Sequence, residues 1–288
     1  MDRRSLAGPA LFTVNLLYGI NYAVAKGLMP AVIAPSGFVL LRVIGATLLF
    51  FLAWLFTRER IAWSDLPRLC LCAVFGVALN QLMFFHGLMR TSPLHASLIM
   101  VATPILVLVI SAMLLGERVT RVKLAGILLG ACGAVGLVLF RASGANAAAS
   151  MLGDLFILIN ASSYGVYLVL VKPLMQRYSA VTVMLWSFAI GLLLVLPFGF
   201  GELSAVPWSA LTASELGAMA FVVVMVTFVA YLLNTWAMRF VQPSVVGTYI
   251  YLQPAFAVLF GWFFRHYGQA WLTHPADPVG AFGPLQWA

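Results

Sequence analysis

Polar side chains able to hold a small solute recur at helical intervals within apolar stretches of this chain. In the first stretch Asn15, Tyr18, Gly19, Tyr22 and Lys26 fall at i, i+3, i+4, i+7 and i+11, which puts them on one face of a helix. Asn160, Ser163, Tyr164 and Tyr167 form a second stripe, and Thr227, Tyr231, Asn234, Thr235 and Met238 a third. Asn80, Gln81 and His86 lie in another stretch, where His86 points well away from Gln81 on an ideal helix; Thr248, Tyr249, Tyr251 and Gln253 lie in the last. Amide and phenol groups of this kind orient an amphipathic solute by hydrogen bonds while aromatic rings cover its apolar part. They can equally join helices inside a bilayer, at roughly 0.6–2 kcal/mol per bond. The sequence leaves both roles open. The candidate binding residues are Asn15, Tyr18, Tyr22, Asn80, His86 and Asn160, together with Tyr164, Tyr167, Tyr231, Asn234, Tyr249 and Gln253.

Arg42 is the one formal charge well inside an apolar stretch, where an arginine costs about 2.5–3.5 kcal/mol on insertion scales. A structural role, with the guanidinium paired to carbonyls or reaching toward the interface, weighs more than service to an anionic group. Lys26 and Lys172 sit at stretch ends and are expected to reach for the interface. Pro104 and Pro254 each remove a backbone donor and free the carbonyl four residues earlier, at Met100 and Ile250. They are candidate hinges, or static kinks. No carboxylate occupies the centre of a stretch, and His86 alone could titrate near neutral pH. Paired acids, metal-spaced histidines, a nucleophile turn and a Gly-Lys-Ser/Thr phosphate loop do not stand out, so neither catalysis nor a bound cofactor or metal is expected.

The elements that must carry these residues follow from composition. Charged residues are 8% of the 288 and hydrophobic residues 63%; an average soluble chain has ~25% charged. Such a chain cannot cover its surface with polar groups. Ordinary soluble enzymes, disordered chains and nucleic-acid binders are thereby excluded, and the net charge of +8 reads as basic loops flanking a membrane. A hydrocarbon core needs about 20 apolar residues per helix. Runs of that kind lie at 9–29, 36–57, 69–89, 93–115, 122–140, 151–171, 180–200, 216–238 and 243–264, which predicts nine spans. Alternating strand patterns are absent. Asn15 and Asn21 within the first run argue for a retained span over a cleaved signal. With the N-terminus inside, only Lys26, Arg90, Arg141 and Arg265 of the flanking basic residues fall outside, which favours that orientation. Cys70, Cys72 and Cys132 read as small buried apolar residues, with no disulfide or zinc framework.

The halves resemble each other. Tyr18-Gly19 and Lys26-Gly27-Leu28-Met29 match Tyr164-Gly165 and Lys172-Pro173-Leu174-Met175 at one constant offset, and the interval between Pro93 and Pro104 recurs between Pro243 and Pro254. Met89-Arg90 and Met238-Arg239 close the preceding runs. Residues 1–141 form one unit and 151–288 a second, with 142–150 as linker. A five-helix unit is odd in number, so its copy enters the membrane in the opposite sense, an inverted repeat that can exchange inward-open and outward-open states. The second copy shows no fifth run after Phe264. This predicts either a truncated chain, the favoured reading, or a natural end one helix short.

The five-plus-five repeat, Leu41-Arg42-Val43 in the second run, the proline-interrupted fourth and ninth runs and Leu115-Gly116-Glu117-Arg118 resemble the EamA-type branch of the drug/metabolite transporter superfamily, over residues from about 9 to 264. Arg265-His266-Tyr267 stands where the family pattern would repeat Gly116-Glu117. The resemblance implies an all-α integral membrane protein of ten helices around a central cavity. It implies transport of a small organic metabolite, commonly export, by alternating access. Family habit and cavity character together suggest an amino acid or an aromatic, drug-like compound. The expected partners are that solute and the lipid bilayer, with no nucleic acid; a homodimer is left open. The expected location is a bacterial-type inner membrane, multi-pass, with a cytoplasmic N-terminus. The alternatives are a membrane-embedded enzyme acting on lipid-linked substrates, which would need clustered His, Asp or Glu, and a truncated remnant that transports nothing.

Overall fold

The computed structural model describes residues 5–129, 132 and 151–267. Among these, regular structure is entirely helical, as a bilayer requires of a chain that must satisfy its own backbone donors and acceptors. The elements are α1 (Ala7–Leu28), α2 (Pro35–Thr57), α3 (Trp63–Arg90) and α4 (Pro93–Leu115), then α5, described over 121–129. After these come α6 (Met151–Arg177), α7 (Ala180–Ser204), α8 (Ala213–Ala237) and α9 (Pro243–Phe264). Seven of them, α2 to α4 and α6 to α9, are long and apolar enough to cross a membrane. The chain is a multi-pass membrane protein. The sequence predicts nine spans. α1 is a 22-residue helix, but Asn15, Asn21 and Lys26 dilute its apolar run. Most of the expected fifth span, the linker 142–150 and the polar stretch from 268 onward lie outside the described residues.

Local chemistry sets the helix ends. Proline opens α2, α4 and α9, where its missing N–H would have no partner in any case. The Ser92 and Ser179 side chains accept from the His95 and Thr182 amides, and Thr212 with Glu215 forms a capping box before α8. Gly116 ends α4 at φ 65°, a left-handed conformation that favours glycine.

Within the spans the helices are not uniform. Residues Val74–Ala78 of α3 and Val222–Val229 of α8 are π-helical. A 3₁₀ turn, Met100–Ala102, precedes Pro104, and another, Tyr249–Tyr251, precedes Pro254. Both prolines thus mark real irregularities, caused by the lost amide donor.

α2 lies against α7 in the most extensive helix pair, and the two are antiparallel: the Gly37 amide at the start of α2 donates to Glu202 Oε2 at the end of α7 (2.8 Å). Deeper in the pair, the Phe50 and Phe188 ring centroids are 5.4 Å apart. α1 packs on α8 and α9, and α6 on α3 and α4. Glycines permit the closest approaches, as small residues do between membrane helices. A Cβ on Gly19 would stand 2.3 Å from Phe256 Cβ. Outward faces are apolar: Phe56, Leu193 and Phe200 are exposed and suit lipid. Cys72 is buried, but Cys70 is only partly so and Cys132 is exposed, so the buried reading holds for Cys72 alone; Cys132 lies where apolar surroundings can be lipid instead of protein.

Charges gather at or beyond the helix ends. Arg177 Nη1 reaches both Asp65 oxygens (2.8 and 3.0 Å), and the Tyr178 hydroxyl donates to the same carboxylate. The Ser179 amide donates to Glu59. Beyond α4, Glu117 accepts from Lys123 Nζ at 2.6 Å and from the Ser111 and Ser244 hydroxyls. Burial alone would raise the Glu117 carboxyl, but these bonds outweigh it and hold the group below its ordinary 4.5. A carboxyl lowered on folding contributes stability that is complete above the unfolded value and is lost as pH falls through the folded one. The melting temperature of purified protein, followed by tryptophan fluorescence, should therefore fall on acidification below about pH 4.5. Glu117→Gln should lower it at neutral pH and flatten the acid limb. Parallel acid limbs in the two proteins would show that this carboxylate carries no such linkage.

Candidate functional site

A cavity of about 70 Å³ lies where the two halves meet. α1 contributes Tyr18, Asn21 and Tyr22, and α2 contributes Arg42. α3 supplies Asn80, Gln81, Phe84 and Phe85, and α4 supplies Met100. The second half adds Asn160 and Tyr164 from α6, Tyr231 from α8 and Gln253 from α9. The lining thus combines amides, phenols and a guanidinium with phenyl rings and a thioether.

Long-range hydrogen bonds fix the polar wall. The Tyr22 hydroxyl donates to Gln253 Oε1 (3.1 Å), and Gln253 Nε2 donates to Asn15 Oδ1 (2.9 Å). This chain ties α1 to α9. Asn160 Nδ2 donates to the Asn80 carbonyl (2.8 Å), and Ser163 Oγ to the Phe75 carbonyl (2.7 Å). The π segment of α3 displaces its carbonyls from regular helical pairing, and α6 takes up one of them. Asn234 Nδ2 donates to the Tyr164 hydroxyl (2.9 Å). Arg42 Nε donates to Thr227 Oγ1 (2.9 Å), whose own hydroxyl donates to the Val222 carbonyl in the π segment of α8. The guanidinium lies 4.6 Å from the Phe85 ring centroid, within cation–π range.

Some buried polar atoms at this wall have no protein partner: Arg42 Nη1, both amide atoms of Gln81, Asn21 Oδ1 and Asn160 Oδ1. These four side chains are between 2% and 3% exposed. Buried polar groups are nearly always paired, so unpaired atoms on four residues of one lining single this cavity out. The lining contains no Asp or Glu among the described residues.

Of the twelve candidate residues, Tyr18, Tyr22, Asn80, Asn160, Tyr164, Tyr231 and Gln253 line the cavity. Asn15 and Asn234 stand one shell out, bonded to Gln253 and Tyr164. Tyr167 points elsewhere, its hydroxyl 3.0 Å from Thr235 Oγ1. His86 Nε2 meets Ser36 Oγ (2.8 Å) near the start of α2, and Tyr249 lies near Gly8 at the start of α1. Pro104 and Pro254 are not among the lining residues. Asn21, Gln81 and Arg42 were not among the twelve. Asn21 follows Tyr18 by three residues, a spacing that identifies it. Asn80 and Gln81 are neighbours, and both face the cavity just beyond the π segment, a register change no ideal period contains. Arg42 is signalled by its lone charge in an apolar run.

Lys26 Nζ donates to the carbonyls of Leu88, Met89 and Thr91 (2.9–3.1 Å), and Lys172 Nζ to those of Met238 and Val241 (2.6 and 2.7 Å). Each lysine closes the carbonyl-rich end of a neighbouring helix. Both do so from sequence-matched positions in the two halves.

Known proteins resemble this chain in sequence and in fold. An uncharacterized transporter of Archaeoglobus fulgidus is 25% identical over 242 residues, 84% of this chain and 82% of its own. A Streptantibioticus cattleyicolor protein named as a probable terminal-alkyne amino-acid exporter is 29% identical over 133 residues, 46% of this chain and 43% of its own. A crystal structure superposes with TM-score 0.68 at 24% identity, covering 98% of this chain and 94% of that one, a likeness of fold. The profile of the EamA-like transporter family matches residues 7–139 and again 151–272. By that double match, across nearly all of its helices, the chain belongs to the EamA-like transporter family.

Proposed function

We propose that this protein is a secondary carrier that exports a small organic metabolite by alternating access about an inverted repeat of five-helix units, 1–141 and 151–288, joined by 142–150. The single observation that carries this reading is the cavity at the junction of the halves, four of whose lining residues carry buried polar atoms without protein partners. Several matched features support the repeat. The family profile fits twice. The π segments of α3 and α8 correspond, as do the 3₁₀ turns before Pro104 and Pro254 and the carbonyl-binding Lys26 and Lys172. α2 and its counterpart α7 run antiparallel, as inversion demands. Two like folds of opposite sense can exchange conformations, with Pro104 and Pro254 as the bending points. The relative named as an amino-acid exporter supports export and a metabolite-sized solute. Arg58, Arg60, Arg118, Arg121 and Arg239 gather at one end of the bundle, which supports an N-inside orientation in a plasma membrane.

Reconstituted protein should show saturable counterflow of a labelled small metabolite, reduced by unlabelled competitor. Flux linear in concentration and indifferent to competitor would refute a carrier. Tyr18→Ala should raise the half-saturating concentration about tenfold, the equivalent of about 1.4 kcal/mol, with normal membrane insertion. Reduced insertion with an unchanged half-saturating concentration would assign Tyr18 to packing.

A further inference from the structure

We propose that the cavity is built for a carboxylate of net charge −1 that also carries a neutral hydroxyl or amide donor, with Arg42 as the residue that selects it. This rests on the reading of the cavity as the carrier's solute site and names the class of solute.

The argument begins with charge. Arg42 is 3% exposed, and no acidic side chain shares its cavity among the described residues. Its protein contacts include the neutral Thr227 hydroxyl and the faces of Phe85 and Phe38. A guanidinium without a counterion at this depth is costly, and a planar carboxylate is the partner its fork of donors fits best. Nη1 is a buried donor without a protein partner. Gln81, which also lines the cavity, carries a second buried donor without a protein partner, Nε2.

The free acceptors define the rest of the solute. Asn160 Nδ2 is engaged with the Asn80 carbonyl, so its amide orientation is set, and Oδ1 is the atom left without a partner. Asn21 Oδ1 is also unpaired. These oxygens call for a donor on the solute. An ammonium would provide one, but a zwitterion brings no net charge and would leave the occupied site with the arginine's net +1. A hydroxyl or amide N–H satisfies the oxygens and keeps the anion's net charge at −1. Phe84 and Met100 remain for a short apolar tail. A cavity of about 70 Å³ is small against the ~300–1,000 Å³ of pockets for drug-sized ligands, so a skeleton of few carbons is preferred.

The test uses three probes with one skeleton: 2-hydroxy-3-methylbutanoate, its primary amide and valine. Binding to the purified full chain in detergent at neutral pH is measured by ligand-dependent melting shifts and by competition. The hydroxy acid should bind saturably and at least tenfold more tightly than either of the others. Arg42→Gln should abolish the difference, and Arg42→Lys should retain part of it. If Arg42→Gln fails to fold, the comparison among the three probes on the wild-type protein still decides. Equal binding of the amide or of valine overturns the inference, as does a preference that persists in Arg42→Gln, or binding of none of the three. Counterflow in proteoliposomes separates this from the broader reading. Exchange of valine but not of the hydroxy acid would sink the charge selection and leave a carrier. Preferential binding of the hydroxy acid without any counterflow would sink the carrier and leave the anion site.

Discussion

Gly199→Leu is expected to eliminate most folded protein from membrane extracts. Gly199 lies on α7 where it crosses the first turns of α2. A Cβ there would stand 2.5 Å from the Ser36 carbonyl oxygen and 2.6 Å from Leu40 Cβ. The first obstacle is backbone, so no rotamer change relieves it. Across the same contact a Cβ on Gly37 would meet Glu202 Cβ and the Leu203 amide nitrogen, each at 2.9 Å. Neither helix can retreat without breaking the Gly37–Glu202 hydrogen bond and parting the largest helix pair of the bundle. Overpacking a tight interior costs about 1–3 kcal/mol even for added methylenes, and a leucine against rigid backbone belongs at or above the top of that range. Total stability is typically only about 5–15 kcal/mol. Gly199→Ala should act in the same direction with smaller effect. Gly201 provides the control, since a Cβ at that position would meet nothing within 4 Å, and Gly201→Ala should leave the yield unchanged. Monodisperse yield by size-exclusion chromatography reads all three; equal yields from Gly199→Leu and Gly201→Ala would show that α2 and α7 have room to part.

Asn160→Leu should abolish counterflow and lower stability by about 1–3 kcal/mol, the range for leaving a buried polar group without its partner. Asn160 serves two purposes. Its Nδ2 holds the Asn80 carbonyl, just beyond the π segment of α3, and its Oδ1 is buried without a protein partner on a residue that lines the cavity. Leucine is of similar size, so it removes both functions with little change in volume. The stability loss is read from the melting temperature, and the transport loss from counterflow normalised to inserted protein. Asn80→Ala keeps the backbone carbonyl that Asn160 uses, so it should cost less stability. Its own side-chain bond to the Asn160 carbonyl is a long 3.5 Å. Normal counterflow in stable Asn160→Leu protein would remove Asn160 from the solute site.

Much of the cavity wall is legible from spacing alone. Tyr18 and Tyr22 repeat at one helical turn, as do Asn160 and Tyr164, and in both cases the stripe turns inward because a polar residue at lipid depth has nowhere better to face. Period also has limits. It groups Tyr167 with Asn160 and Tyr164, yet a small rotation over three further residues carries the Tyr167 ring past the cavity, where it fills the space left by the absent side chain of Gly76. His86 lies at the end of α3 beside Ser36, too far along the axis to share the site of Asn80. Gln81 is brought in by a π segment whose sequence, Val74 to Ala78, carries no polar signature.

By itself the amino-acid sequence determined the all-helical membrane class, most of the span positions, the inward stripes and the matched halves. These follow from hydrophobicity and helical period, which act over a few residues and need no knowledge of neighbours. Only the tertiary structure decided which buried polar groups are spent on one another and which are left for a guest. That outcome depends on pairs such as Tyr22 with Gln253 and Arg42 with Thr227, whose members are far apart along the chain and meet only when whole helices have packed.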